Sequence, residues 1–277
     1  MDHGQHSLFD DVAKILTLGS DRRQSMRWLL AGTASLHGCG GSSGTTAATL
    51  GTSSSTTTTT TSACAVIPEE TGGPYPADGT NSAAGGVANA LILAGVVRSD
   101  IRTSVAGASG TALGVPLTIK LKIVNVGASC ASVAGATVYL WHCDRDGNYS
   151  LYSSGVTGEN YLRGLQEADS DGNVTFTTIF PGCYSGRMPH VHFEVYPSLG
   201  KSTLAANRIK TSQFTFPQAT MTEAYTATGY SASVRNLANI TLATDNVFSD
   251  GATLQTAAVT GSAALGYVAT LQVGVSL

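Results

Sequence analysis

The amino-acid sequence predicts an all-β protein, an antiparallel β-sandwich with an extended N-terminal arm. Three observations predict it. Charged residues make up only 12% of the chain, and 32 glycines among abundant Thr, Ser, Val and Ala favour sheets and turns over amphipathic helices. Several short runs alternate apolar and polar residues with period two, the pattern of a strand buried on one face. Asp-Gly pairs at Asp146-Gly147, Asp171-Gly172 and Asp250-Gly251 punctuate those runs as turns do.

Taken in order, residues 1–38 read as an export signal. Arg22 and Arg23 stand side by side before the modestly apolar stretch Met26 to Ser35, which resembles a twin-arginine leader. Gly38 before Cys39 resembles a lipoprotein cleavage box and makes Cys39 the candidate lipidation site. The competing reading is an amphipathic helix of the fold, with Phe9, Val12 and Ile15 on one face. Residues 39–63 are rich in Ser, Thr and Gly, carry no charge and offer almost nothing to a core. They read as a disordered tether that holds a folded domain off a membrane surface. The domain itself is expected over 64–277, exported to the periplasm or beyond the cell.

Ile67 to Thr80 (IPEETGGPYPADGT) has three prolines and two consecutive glycines, so it is an extended arm. Leu117 to Val124 alternates Leu117, Ile119, Leu121 and Ile123 with Thr118, Lys120 and Lys122, a half-exposed strand. Gly135 to Trp141, Val174 to Phe180, His190 to Tyr196, Ser212 to Phe216, Ala238 to Leu242 and Tyr267 to Val275 continue the series. A net charge of −3 without a basic stripe argues against nucleic acid as a partner. No apolar run reaches eighteen residues, so no ordinary membrane-spanning helix is expected.

The chemistry gathers around Pro181 to Tyr196. Beyond residue 38 the chain has three histidines, and two of them form the H-x-H of His190 and His192. In an extended strand both imidazoles point one way, while Val191, Phe193 and Val195 point the other. Zinc, copper and iron all accept a pair of imidazoles. Tyr184 lies in the turn before this strand, and Tyr149 follows the Asp146-Gly147 turn. Phenolate is a hard anionic donor, so a set of two tyrosines and two histidines argues for iron held as iron(III). Tyr152 and Tyr161 read as structural tyrosines that could replace Tyr149 in the set. His142 reads as a hydrogen-bonded structural histidine, and Glu194 as a solvated charge on the metal-side face.

PEETGGPYP, GATVYLWHCDRDGNYS, YLRGLQEADSDGNVTFTTIFPGCY and GRMPHVHF together resemble the intradiol ring-cleavage dioxygenases, from about Pro68 to Phe216. The family includes protocatechuate 3,4-dioxygenase and catechol 1,2-dioxygenase. The resemblance implies an intradiol dioxygenase-like sandwich holding Fe(3+) on Tyr149, Tyr184, His190 and His192. It implies an active-site arginine at Arg187 and a glutamine at Gln213. Thr71, Gly73 and Tyr75 match the arm that borders the substrate pocket. Met188-Pro189 stands where the family usually has Pro-Ala, and Cys183 where it often has Trp or Pro. Between Cys64 and the first strands there is no room for the helical dimerisation region of the catechol 1,2-dioxygenases, so the chain resembles the compact exported branch.

The implied reaction joins a small aromatic diol and dioxygen, cleaving the ring between the two hydroxyls to a cis,cis-muconate-type diacid. Tyr149 would stay bound, Tyr184 would be displaced by substrate and take one of its protons, and Arg187 would stabilise negative charge on the ring. Gln213 would orient Arg187 or the oxygen intermediate. Cys64, Cys130, Cys143 and Cys183 form an even set in an exported chain, which points to two disulfides. Cys143 and Cys183 each stand near a site tyrosine, and a bond between them would brace the site, leaving Cys64 to pair with Cys130. The rival reading is a non-catalytic exported sandwich that binds a wall component; the complete ligand set weighs against it. A zinc hydrolase would gain nothing from two phenolates.

Overall fold

A computed structural model of the chain describes residues 64–83 and 85–277; the expected export signal, the tether and Cys39 lie outside these residues. Two sheets carry the fold. One is four-stranded and wholly antiparallel, in the order β6 (Arg163–Glu167), β5 (Thr137–Trp141), β8 (His190–Tyr196), β9 (Lys210–Thr215). The other runs β10 (Ala258–Ser262), β11 (Gly266–Val275), β3 (Pro116–Asn125), β4 (Ala131–Ser132), with β7 (Asn173–Ile179) also paired to β3. A hairpin of β1 (Asp78–Ala83) and β2 (Gly86–Asn89) precedes them.

The expected alternation is what packs the core. In β3 Leu117, Ile119, Leu121 and Ile123 are buried while Lys120 and Lys122 are exposed. They join Val138 and Leu140 of β5, Phe176 of β7, Val191, Phe193 and Val195 of β8, and Val273 of β11 in one apolar cluster. Each such side chain contributes roughly 1.5–3 kcal/mol by leaving water. The opposite face of β5 and β8 is buried too: Tyr139, Trp141 and Tyr196 pack with Ala77, Ala90, Leu91 and Val96 of the N-terminal segment. The arm therefore closes over the face that carries the two histidines.

The arm is tied along its length. The Ile67 N–H donates to Gly274 O (2.9 Å), the Glu70 N–H to Thr211 O (2.9 Å), and a disulfide joins Cys64 to Cys130.

Two expectations about the sheets need correction. The β3–β11 pairing is parallel, from Leu117↔Tyr267 to Asn125↔Val275. A hairpin forces its strands antiparallel, but β11 enters after a long excursion that leaves its direction free. Residues 238–242 form no strand. Helix α1 (Gln218–Ala224) and helix α2 (Ser231–Leu237) precede them, and 238–242 form an irregular turn-containing segment after α2. Leu237 and Ile240 are both buried; their spacing of three suits a helical end as well as it suits a short strand.

Candidate metal centre

Strand β8 lies between β5 and β9, so His192 sits across from Trp141 on one side and Gln213 on the other. Its neighbour on the same face, His190, pairs with Thr215. Both imidazoles are within 2% of full burial.

The two tyrosines arrive on loops that need glycine. After β5 the chain turns on Asp144, whose Oδ1 accepts the N–H groups of Asp146 (3.0 Å) and Asn148 (2.8 Å). Gly147 has φ +89°, and a Cβ there would lie 3.0 Å from the Cβ of Tyr184. Gly182 is tighter: a Cβ would stand 2.7 Å from the carbonyl oxygens of Asp144 and Arg145. The Pro-Gly before Tyr184 thus lets the two tyrosine loops touch.

The four expected ligands converge. His190 Nε2 and His192 Nε2 are 3.0 Å apart; Tyr149 Oη is 3.3 Å from each, and Tyr184 Oη is 3.3 Å from His190 Nε2. His190 Nδ1 lies 2.6 Å from Met188 O, an acceptor only, which puts its proton on Nδ1 and frees the Nε2 lone pair inward. His192 Nδ1 is buried without a partner, and its ring is oriented by Trp141. Burial first, then the Arg187 guanidinium, holds His190 well below the usual histidine range. Burial and the neighbouring His190 do the same for His192. Both rings are therefore neutral donors. Burial pushes Tyr184 up to about 12 and raises Tyr149 well above the usual tyrosine value, so the phenols keep their protons unless a cation replaces them. Among the described residues no group of three or more His, Cys, Asp or Glu side chains can hold a metal ion. The donors here are two phenols with two imidazoles, a hard set that fits a trivalent iron.

Around the donors stands a polar frame. Arg187 NH2 donates to Gln213 Oε1 (2.7 Å), its NH1 lies 3.4 Å from His190 Nε2, and its Nε donates to Asp245 Oδ2 (3.0 Å). Gln213 Nε2 donates to Thr71 O (2.8 Å), which draws the arm over the site. Gly73, at φ +69°, passes so near His192 that a Cβ would lie 3.3 Å from Cε1. The Tyr75 ring packs 4.9 Å from that of Tyr149. Gly73 and Tyr75 thus pack on members of the donor set, and Thr71 on Gln213.

Other residues go elsewhere. Tyr152 Oη donates to Asn81 Oδ1 (2.6 Å) and Tyr161 Oη to Asp144 Oδ2 (3.3 Å), so neither faces the imidazoles. His142 is structural, with Nδ1 2.8 Å from Cys143 O and Nε2 2.7 Å from Thr178 Oγ1. Glu194 is not a solvated charge. It is 1% exposed, accepts from Tyr196 Oη (2.6 Å), and burial lifts its carboxyl to about 8. The Cys143–Cys183 disulfide does not form: both are free buried thiols. Each Sγ turns to a different carbonyl, Cys143 to Gly182 O (3.5 Å) and Cys183 to Arg187 O (3.4 Å).

Asp245 and the stacking role of Trp141 escape the sequence reading. Asp245 lies 58 positions from Arg187 in no motif, so only the fold brings them together.

A family model described as a dioxygenase matches residues 97–203, which contain Tyr149, Tyr184, Arg187, His190 and His192 but not Gln213 or Asp245. Among solved structures, an intradiol ring-cleavage dioxygenase from Tetranychus urticae superposes with a TM-score of 0.59 at 23% identity, covering 77% of this chain and 95% of that one. The dioxygenase domain of a dioxygenase carbohydrate-binding protein fusion from Streptomyces sp. SirexAA-E gives 0.48 at 21% identity, with coverages of 77% and 99%. A 3-chlorocatechol 1,2-dioxygenase from Rhodococcus opacus 1CP gives 0.46 at 14% identity, with coverages of 76% and 72%. The first likeness is one of fold.

Proposed function

We infer that this chain is an intradiol dioxygenase, an iron(III) enzyme that cleaves a catechol-type diol between its hydroxyls with dioxygen; the dioxygenase family match over residues 97–203 supports the reading. One observation carries the reading: two phenol oxygens and two imidazole nitrogens gathered with neighbouring separations of 3.0 to 3.3 Å. Tyr149, Tyr184, His190 and His192 would hold the ion. A ferric ion there supplies Lewis acidity that favours the doubly deprotonated diol and accepts electron density from its ring.

The chain's own groups do the rest. Tyr149 is 1% exposed, while Tyr184, in the turn before β8, is partly exposed. Of the two phenols Tyr184 would be the one that yields to the diol, its oxygen taking up a diol proton. Its affinity for that proton is high because burial has already raised it to about 12. The Arg187 N–H groups face the same space and stabilise charge that develops on the ring. Gln213 holds Arg187 in place and ties it to Thr71. Thr71, Gly73 and Tyr75 wall the diol in and keep bulk water out. The product is a cis,cis-muconate-type diacid.

Colour and oxygen uptake test this. Iron-loaded protein should be burgundy from phenolate-to-iron charge transfer, lose the band in Tyr149→Phe, and consume oxygen with catechol, hydroxyquinol or protocatechuate. Removal of iron by a chelator should abolish both signals. A colourless protein that takes up zinc as readily as iron, or binds neither, would falsify the reading. Export through the Arg22-Arg23 leader and anchorage at Cys39 belong to the same proposal, on the character of residues 1–39. Fatty-acid labelling that persists in Cys39→Ser would count against the anchor.

A further inference from the structure

We propose that Asp245 is a positioning residue for this reaction: it holds the Arg187 guanidinium in the orientation that aims its free N–H groups at the diol. The inference rests on the reading of the site given above. Asp245 is fully buried and its two oxygens are used separately. Oδ1 accepts the N–H groups of Val247 (2.8 Å) and Phe248 (3.1 Å), which fixes the carboxylate to its own loop. Oδ2 accepts the Met188 N–H (2.7 Å) and the Arg187 Nε–H (3.0 Å). One oxygen thus ties down both the backbone and the side chain of the segment that leads into β8.

The tie reaches the donor set by two routes. Met188, held by its N–H on Asp245, uses its carbonyl to orient His190 through Nδ1. Arg187, held by Nε on Asp245 and by NH2 on Gln213, has NH1 left to face His190 Nε2. The Phe248 ring lies 5.9 Å from the guanidinium carbon and closes one side of it. An arginine side chain has four free torsions, and these anchors remove them before substrate arrives. A donor that need not reorganise is worth most to a developing charge. Charge follows the same logic. Arg187 is only 8% exposed and stands beside two neutral imidazoles, and Asp245 is the carboxylate that pairs with it.

The test is a double-mutant cycle on the iron-loaded full chain with Asp245→Asn and Arg187→Ala, alone and together. Asp245→Asn should lower kcat about a hundredfold with KM within about threefold. In the Arg187→Ala background the same change should cost less than about threefold more. Asp245→Glu, which keeps a carboxylate, should recover part of kcat, and it carries the cycle if the Asn variant does not fold. A second readout is independent of turnover: exchange of the Arg187 Nε–H with solvent, followed by NMR, should quicken about tenfold or more in Asp245→Asn. Equal losses in both backgrounds, or unchanged Nε–H exchange, overturn the proposal. If the wild-type chain cleaves no diol, the reading of the site has failed, and Nε–H exchange alone then decides whether Asp245 holds Arg187.

Discussion

Trp141 lies flat on His192, with ring centroids 4.9 Å apart and planes 5° from parallel. His190, two residues away, is oriented instead by a hydrogen bond from Nδ1 to Met188 O. The two imidazoles of one H-x-H are thus set by different physics: a polar bond on one side, and a stack with a close glycine on the other. The pair is unequal as donors, because a hydrogen-bonded Nδ1–H raises the basicity of Nε2 and an unpartnered one does not.

If the stack orients His192, Trp141→Leu should weaken iron retention by about ten- to a hundredfold, while Trp141→Phe, which keeps a ring, should lose less. Dialysis against a graded chelator measures this. Equal retention in the Leu variant and the wild type would remove the stack from the account of the site.

Gly73 passes His192 at φ +69°, where a Cβ would press on the ring at 3.3 Å from Cε1. Gly73→Ala should cost on the order of 1 kcal/mol in backbone strain and push the His192 ring. The expected outcome is a lower Tm in the metal-free protein together with a shifted charge-transfer band in the loaded one. A shifted band without a Tm change would mean that the arm moves aside instead of straining.

The cysteines divide cleanly. Loss of the Cys64–Cys130 bond, which spans 66 positions, should destabilise by roughly 4 kcal/mol in the chain-entropy picture. Cys143 and Cys183 should react with an alkylating agent only after unfolding. Thermal melts with and without reductant, and mass spectrometry of alkylated native protein, check both statements.

His142 makes the metal-free fold acid-sensitive. Burial lowers it from 6.5 to about 4, so the folded chain keeps it neutral where the unfolded chain takes up a proton. Stability from this group is therefore full above about pH 6.5 and falls as pH drops toward 4, by about 3 kcal/mol in total. Denaturation of metal-free His142→Gln should show a shallower slope across that window. An unchanged slope would place the acid sensitivity elsewhere.

The residues that were legible in the sequence are those whose meaning is local. His190 and His192 share a face because strand side chains alternate, whatever lies around them. Gly147 and Gly182 announce tight turns, and the tyrosines two residues beyond each are carried by them. Glu194 was misread because alternation says which side chains share a face and not whether that face is wet; the arm, more than a hundred residues earlier, decides that. Cys143 and Cys183 were misread because pairing depends on the direction of two Cβ vectors, which no spacing records. Residues 238–242 were misread because a few apolar residues fit a helix end and a strand equally well.

By itself, then, the sequence determined a β-rich domain, its strand periods and the kinds of donor atom available, because propensity, alternation and turn chemistry act over a few residues. Only the tertiary structure decided that β11 runs parallel to β3, that the arm covers the histidine face, and that Asp245 meets Arg187 and Trp141 stacks on His192. Those relationships join residues tens to hundreds of positions apart, and chain closure and packing, not local preference, bring such residues into contact.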